Sequence, residues 1–227
     1  MNSFDVRVEL FLNQFAGRWP RFDAALAVFT GLNLFKGGVI VALLWWMWGR
    51  REDRRRTREL VISTLFGVVL ALGSTRLLSH LLPFRYRPLH DPSLMFRSPA
   101  GLDERILKGW SAFPSDHAAM CFALATGLLL LHRRLGLIAW AYTALFIALP
   151  RAYLGFHYPT DLIVGALLGV AAVLAASAAP IRERIARPVL ALAARRPGAF
   201  HALLFLVTLQ VANMFEAIRI VFGYARQ

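Results

Sequence analysis

The sequence predicts an all-α fold, a polytopic membrane helix bundle with about six transmembrane helices and an N-terminal interfacial helix. Of its 227 residues, 58% are hydrophobic and 17% are charged, whereas a soluble domain carries about 25% charged residues. A helix needs roughly 20 apolar residues to cross a bilayer, and six apolar runs approach that length. Such spans would occupy about half of the chain, so we expect a single integral membrane domain over 1–227.

The N-terminal segment has the pattern of a helix that lies in the membrane interface. Phe4, Val8 and Phe11 recur at helical spacing with polar residues between them, which is typical of a helix with one face among the lipids. The first span is preceded by an apolar stretch over 22–32 and contains Lys36. We place the six spans at about 34–49, 60–82, 113–131, 136–150, 161–179 and 199–222.

The basic residues predict which way the bundle faces. The chain has 26 Lys and Arg against 13 Asp and Glu, and half of the basic residues fall in the connections 50–59, 133–134 and 181–197. These connections share one side in a six-span alternation, and the positive-inside rule makes that side cytoplasmic. The loop 83–112 and the connection 150–160 then face outward. Because apolar spans divide the basic residues between two membrane faces, we expect no nucleic-acid partner.

Three stretches on the predicted outer side form a candidate anion site, namely residues 80–88, 113–117 and 150–161. Pro114 and Pro159 stand where the first turn of a helix begins, and helix N-termini attract anions through free N–H groups and the helix dipole. Arg87 and Arg151, with Arg85 as a further candidate, add guanidinium groups whose planar geometry matches phosphate oxygens. The pattern therefore predicts a phosphate site.

Two histidines and a carboxylate supply the chemistry for phosphoryl transfer at this site. His157 and Asp161 are four residues apart at a helix entry, so the carboxylate can take one ring N–H and leave the other nitrogen free to attack. His117 can give a proton to the leaving oxygen. Phosphoryl transfer depends mainly on positioning and charge neutralisation, so these groups suffice without a metal.

Together these motifs resemble one family of membrane enzymes. The pattern of the type 2 phosphatidic acid phosphatase superfamily, membrane lipid phosphatases related to vanadium haloperoxidases, is matched in order and spacing by Arg87-Pro88, Pro114-Ser115, His117, Arg151, His157 and Asp161. The resemblance covers a motif core of about 60–180. It implies that His157 is the nucleophile that forms a phosphohistidine, Asp161 its orienting partner and His117 the general acid. Arg87, Ser115 and Arg151 would hold phosphate oxygens, and neither a metal nor another cofactor is implied.

Three positions depart from the family pattern. His80 stands at the family's lysine and Pro150 at its serine. His80 and Arg76, one turn earlier, are therefore candidates for the absent positive charge. Asp116 replaces the motif glycine, and the resulting Pro-Ser-Asp-His resembles the subgroup of bacitracin-resistance undecaprenyl-diphosphate phosphatases. We include Asp116 and His80 among the phosphate-binding candidates.

The resemblance predicts hydrolysis of undecaprenyl diphosphate to undecaprenyl phosphate at the outer face of a bacterial inner membrane, in cell envelope biogenesis. Phosphatidylglycerol phosphate, phosphatidate and lipid A stay open as substrates, as does transfer of phosphate to another lipid. A transporter of anionic lipids is the alternative without catalysis. Lipid phosphates and membrane lipids are the expected partners, and the sequence leaves the oligomeric state open. In the last span, Glu216 and Arg219 are three residues apart and are expected to pair.

Overall fold

The computed structural model describes residues 2–50 and 53–215, and within these ranges the chain is all-helical. The predicted fold class is confirmed. A short 3-10 turn at Pro88–His90 lies in the longest connection. The nine helices of the described chain are α1 (Ser3–Asn13), α2 (Pro20–Gly31), α3 (Leu34–Gly49), α4 (Arg54–Leu81), α5 (Asp116–Leu131), α6 (Arg133–Tyr153), α7 (Pro159–Ser177), α8 (Ala179–Arg195) and α9 (Pro197–Ala212).

Every predicted apolar run is represented by a helix, although fewer than six of these helices have full spanning length. Three of them, α4, α6 and α7, are long and apolar enough to cross a membrane, and α2 with α3 qualifies as one span bent by 66°. The runs at 113–131 and 199–222 correspond to α5 and α9, which have 16 residues each. The expected pair of Glu216 and Arg219 lies outside the described residues.

Two of these helices begin differently from the sequence expectation. The first span also includes the earlier apolar stretch, because α2 and α3 follow each other almost without a gap. They are separated at Leu32, whose extended backbone (φ −77°, ψ 114°) breaks the helix. Helix α3 then opens with a π turn over Leu34–Gly38. Pro159 does open α7, as predicted, but Pro114 lies before the α5 cap, Ser115, and outside the first helical turn.

Helix α5 lies at the centre of the bundle and packs against α4, α6 and α7. Small residues permit the closest contact. On α7, a side chain at Gly165 would collide with the Ser115 carbonyl oxygen, and one at Gly169 with the Ala119 carbonyl oxygen. This close approach brings the N-terminal ends of α5 and α7 together at one end of the bundle.

The basic connections meet at the opposite end. Helix α8 packs along α4 there, with Arg182 Nε 3.4 Å from Glu59 Oε2, and the rings of Trp48 and Phe200 stack with centroids 5.4 Å apart. The connection predicted at 181–197 is therefore largely the helix α8. The segregation of the basic connections from the candidate site agrees with the six-span alternation.

Helix α1 turns its polar stripe inward and its aromatic residues outward. Asp5, Glu9 and Asn13 are buried, whereas Phe4 and Phe11 are exposed. The helix packs against α6 and α7 at the site end of the bundle. An aromatic outer face is what a helix in the membrane interface requires, and the inward polar stripe makes α1 a structural neighbour of the candidate site.

Candidate active site

A cavity of about 600 Å³ lies at the end of the bundle where α5 begins. The ends of α4 and α6, the π turn of α3 and the segments 102–111 and 156–157 enclose it. Of the residues singled out from the sequence, it brings together Arg76, His80, Arg87, Asp116, His117, Arg151 and His157. The remaining candidates, Ser115, Asp161 and Arg85, lie behind this lining.

His157 is buried and held by two neighbours. Its Nδ1 lies 2.8 Å from the Ala112 carbonyl oxygen, which can only accept, so Nδ1 carries the ring proton when the ring is neutral. Its Nε2 lies 3.3 Å from Nη1 of Arg87. Burial, and then the Arg87 charge, lower the pKa of His157 well below the usual value. The ring is therefore neutral at pH 7 and has its lone pair on Nε2, the nitrogen nearer to Arg87.

Asp161 sits next to this ring but makes its own bonds elsewhere. Its Oδ2 is 4.0 Å from His157 Nδ1 and accepts a 2.8 Å bond from the Tyr158 N–H, while Oδ1 accepts from Arg85 at 2.5 Å. The four-residue spacing predicted a direct bond to the ring. Instead, Nδ1 of His157 bonds to the Ala112 carbonyl oxygen, because the Asp161 carboxylate caps the first turn of α7.

His117 and Asp116 form a chain with Arg76 at the first turn of α5. His117 Nδ1 lies 3.0 Å from Asp116 Oδ1, and Asp116 Oδ2 accepts a short bond from Arg76. The Arg76 guanidinium lies over the Trp110 ring, 5.1 Å from its centroid. Asp116 was predicted to bind phosphate, but a carboxylate repels phosphate, and here it fixes the orientations of Arg76 and His117.

Two buried arginines line the cavity. Arg87 donates to the carbonyl oxygens of Phe156 at 2.6 Å, Ser111 at 3.1 Å and Trp110 at 3.2 Å. Burial lowers the pKa of Arg87 to about 10, which still leaves the group charged at neutral pH. Arg151 donates from Nη1 to the Ile147 carbonyl oxygen at 3.0 Å. These bonds hold two positive charges in fixed positions.

Ser115 and Arg85 support the site from outside the cavity. The Ser115 hydroxyl accepts from the Ala118 N–H at 3.4 Å and caps α5, and its side chain is fully buried. Arg85 links Asp161 to Asp5 of α1, with its Nη2 2.6 Å from Asp5 Oδ2. The structure thus gives both residues structural contacts where phosphate contacts were predicted.

Sequence reasoning missed the contribution of α1. Asp5 accepts bonds from the Thr160 N–H at 3.0 Å and from its hydroxyl at 2.6 Å, in addition to its ion pair with Arg85. Glu9, one turn later, is buried, and its carboxylate has no hydrogen-bond partner among the described residues. Burial, with the nearby Asp161 and Asp5, raises the pKa of Glu9 to about 9, so it is protonated at pH 7. The sequence did contain a signal for this contribution, namely polar residues at four-residue spacing in a helix predicted to lie in the membrane interface.

The cavity favours an anion over a metal ion. Ligand atoms of Asp116, His117 and His157 lie within 4.8 Å of one another, a spacing that a metal ion could bridge. Arg87 and Arg151 line the same cavity, and their charges oppose a cation and attract phosphate.

The comparison with known families agrees with this site. Residues 82–184 match the model described as the PAP2 superfamily. The matched segment thus resembles a PAP2 superfamily domain. The segment includes eight of the ten candidate site residues, and the other two, His80 and Arg76, precede residue 82.

Individual relatives extend the likeness beyond this domain. The chain is 29% identical over 152 residues to a protein of Escherichia coli (strain K12) named putative undecaprenyl-diphosphatase YbjG, covering 67% of this chain and 71% of that protein. It is 43% identical over 65 residues to the lipid A 4'-phosphatase of Bacteroides thetaiotaomicron, covering 27% of this chain and 28% of that protein. The expected subgroup of undecaprenyl-diphosphate phosphatases is thus represented among the relatives.

A solved structure shares the fold. The crystal structure of Aquifex aeolicus LpxE superposes with a TM-score of 0.50 and 25% sequence identity, covering 75% of this chain and 92% of that one. Together with the candidate spans, these relatives make the chain a multi-pass membrane protein.

Proposed function

We propose that this protein is a lipid-phosphate phosphatase that releases phosphate from undecaprenyl diphosphate through a phosphohistidine on His157. The observation that carries the proposal is that His157 and His117 line one cavity with Arg87 and Arg151. A neutral imidazole, a second imidazole and two fixed guanidinium groups are the parts that phosphoryl transfer needs. The relatives named as phosphatases support the same reaction class.

In the first step, Nε2 of His157 attacks the terminal phosphorus. A P–N bond forms, the bond from phosphorus to the bridging oxygen breaks, and His117 gives a proton to that oxygen. Arg87 and Arg151 neutralise charge on the transferred group. In the second step, water attacks the phosphorus, His117 takes the proton from that water, and the P–N bond breaks to release phosphate.

The residues of the site have separate parts in this proposal. The Ala112 carbonyl oxygen holds the ring proton of His157 on Nδ1, while Asp161 fixes the start of α7 and the position of Arg85. Asp116 orients His117. The reaction uses no metal, since the two histidines and the arginines supply the nucleophile, the proton and the positive charge.

The whole chain serves this site as one domain at the outer face of a bacterial inner membrane. Asp5 precedes the family segment by many residues, yet it bonds to Thr160 and Arg85. The basic connections lie at the other end of the bundle, the end that the positive-inside rule assigns to the cytoplasm. This orientation places the phosphate cavity outside, where the diphosphate carrier is released during envelope synthesis.

Lipid A is the second candidate substrate. It is favoured by the similarity to a relative named lipid A 4'-phosphatase. Both substrates present a phosphate group on a large lipid at the membrane surface, so the arginines and histidines would act in the same way on either.

The test is phosphate release by the purified protein in detergent from undecaprenyl diphosphate, with lipid A and phosphatidylglycerol phosphate in parallel, each with EDTA. We expect release that prefers the prenyl substrate and survives EDTA. His157→Ala should reduce release by about 1,000-fold or more and keep the elution volume and thermal unfolding of the parent. His201→Ala, at an exposed residue of α9, is the matched control. Full activity in His157→Ala would overturn the nucleophile, and preference for lipid A would select the second candidate.

A further inference from the structure

Lys36 is a charged residue inside the bent span formed by α2 and α3. It lies on the π turn Leu34–Gly38 and lines the same cavity as His117 and Arg151. Charged residues within spans are costly and usually face a polar cavity or pathway, and π turns occur often at functional sites. Its position therefore indicates a role in the cavity, although Lys36 belongs to none of the three sequence motifs of the site.

The surrounding structure fixes this turn. The Cys121 thiol of α5 donates to the Lys36 carbonyl oxygen at 3.3 Å, and the Tyr142 hydroxyl of α6 donates to the Phe35 carbonyl oxygen at 2.6 Å. Gly37 packs so tightly that an added Cβ would lie 3.2 Å from Met120 Cε. Three contacts from neighbouring helices thus anchor the backbone on which Lys36 stands.

Different positive charges of the cavity act on its two histidines. Arg87 has Nη1 3.3 Å from Nε2 of His157, beside the nucleophile. The charge of Lys36 instead acts on the ring of His117, the proposed proton donor. In an in-line displacement the leaving oxygen departs opposite the nucleophile, next to the proton donor. Lys36 is therefore placed on the leaving-group side.

We propose that Lys36 binds the phosphate that stays on the lipid and so favours diphosphate over monophosphate substrates. The inference rests on the proposed phosphatase function. When a lipid diphosphate reacts, the leaving group is itself a phosphate ester with negative charge, which an ammonium group binds. When a lipid monophosphate reacts, the leaving group is an alcohol and offers Lys36 no such charge. Lys36 thus discriminates by the charge of the leaving group.

The test compares Lys36→Met with Lys108→Met. Lys108 is the other lysine of the sequence, exposed in the 102–111 segment and outside the cavity lining. We expect Lys36→Met to lower kcat/KM for undecaprenyl diphosphate by roughly 10- to 100-fold, the range for losing a hydrogen bond to a charged group. Its kcat/KM for phosphatidate should change by less than about 3-fold, and Lys108→Met should change neither. If Lys36→Met folds poorly, Lys36→Arg takes its place in the test. It keeps the positive charge and should retain part of the preference for the diphosphate.

A binding experiment separates this inference from the proposed function. Inorganic diphosphate and inorganic phosphate are titrated into each variant by calorimetry, which needs no turnover. Tighter binding of diphosphate that Lys36→Met abolishes and Lys36→Arg retains would support the subsite even if neither lipid were hydrolysed. Equal losses for diphosphate and phosphate, or no loss in either, would overturn it. Absence of phosphate release from every lipid by the parent protein would overturn the proposed function alone.

Discussion

The two ends of the bundle use the same residue type in opposite ways. At the site end, Arg87 and Arg151 are 6% and 3% exposed, and main-chain carbonyl oxygens hold them in place. At the other end, the Arg55 side chain is 84% exposed and pairs with Glu59 one turn away on α4. Because Arg55 is exposed, water screens its charge, and its pairing with the buried Glu59 contributes little to stability. In the proposed function, a basic residue at one end provides fixed charge for an anion, whereas the positive-inside rule predicts that one at the other end marks the cytoplasmic side.

The largest expected effect of breaking this contrast comes from Arg87. Arg87→Ala removes the charge beside His157 Nε2 together with three bonds to carbonyl oxygens. We expect kcat/KM for the lipid substrate to fall by roughly 100- to 1,000-fold, the loss seen when a fixed charge-stabilising donor is removed. Arg55→Ala should leave kcat/KM within about 2-fold. Steady-state phosphate release measures both, and similar losses in the two variants would refute the distinction.

A smaller effect is expected at Asp5, which can be compared with Glu59 at the other end. Both carboxylates are buried and pair with arginine, Asp5 with Arg85 and Glu59 with Arg182. Asp5→Asn should lower kcat/KM about 10-fold, because Arg85 loses a partner and the start of α7 shifts. Glu59→Gln should lower the unfolding temperature without changing kcat/KM. If Asp5→Asn lowers only the unfolding temperature, α1 has no part in positioning the site.

The smallest effect concerns stability and comes from Glu9. Its pKa rises from 4.5 to about 9 on folding, so the folded state holds a proton that the unfolded state loses. The contribution of protonated Glu9 to the free energy of unfolding is complete below pH 4.5 and is lost as the pH rises towards 9. Glu9→Gln should therefore stabilise the protein at pH 8 by about 1 to 3 kcal/mol and leave it unchanged at pH 4.

The control for this prediction is Glu183→Gln, at an exposed position of α8. Its unfolding temperature should follow that of the parent at both pH values. Thermal unfolding in detergent at pH 4 and pH 8 is the measurement, and a Glu9→Gln variant that is less stable than the parent at pH 8 would contradict the buried, protonated carboxylate.

Much of the fold followed from local patterns along the chain. Apolar runs predicted where helices lie, and Pro159 marked the start of α7, because helix formation and burial in lipid depend on neighbouring residues. The arginine-rich connections predicted which of them share a side. The motif spacing predicted that His117, His157 and Arg87 would meet, and the structure brings all three to one cavity.

The details of the site came from contacts between distant segments. The bond from His157 to Ala112 joins residues 45 positions apart, and the bond from Thr160 to Asp5 joins residues 155 positions apart. No local periodicity reports such pairs. The four-residue spacing of His157 and Asp161 permitted a direct bond, yet helix capping directs Asp161 to the Tyr158 N–H instead.

The sequence by itself determined the helical membrane class, and it predicted the sidedness of the basic connections and a set of histidines and arginines for phosphate chemistry. Only the tertiary structure decided that Lys36 lines the cavity, that α1 turns Asp5 and Glu9 inward, and that Ser115 caps α5. The physical reason is that hydrophobic burial is encoded by composition along each helix, whereas the direction of a polar side chain depends on which partners the packed helices place within hydrogen-bonding distance.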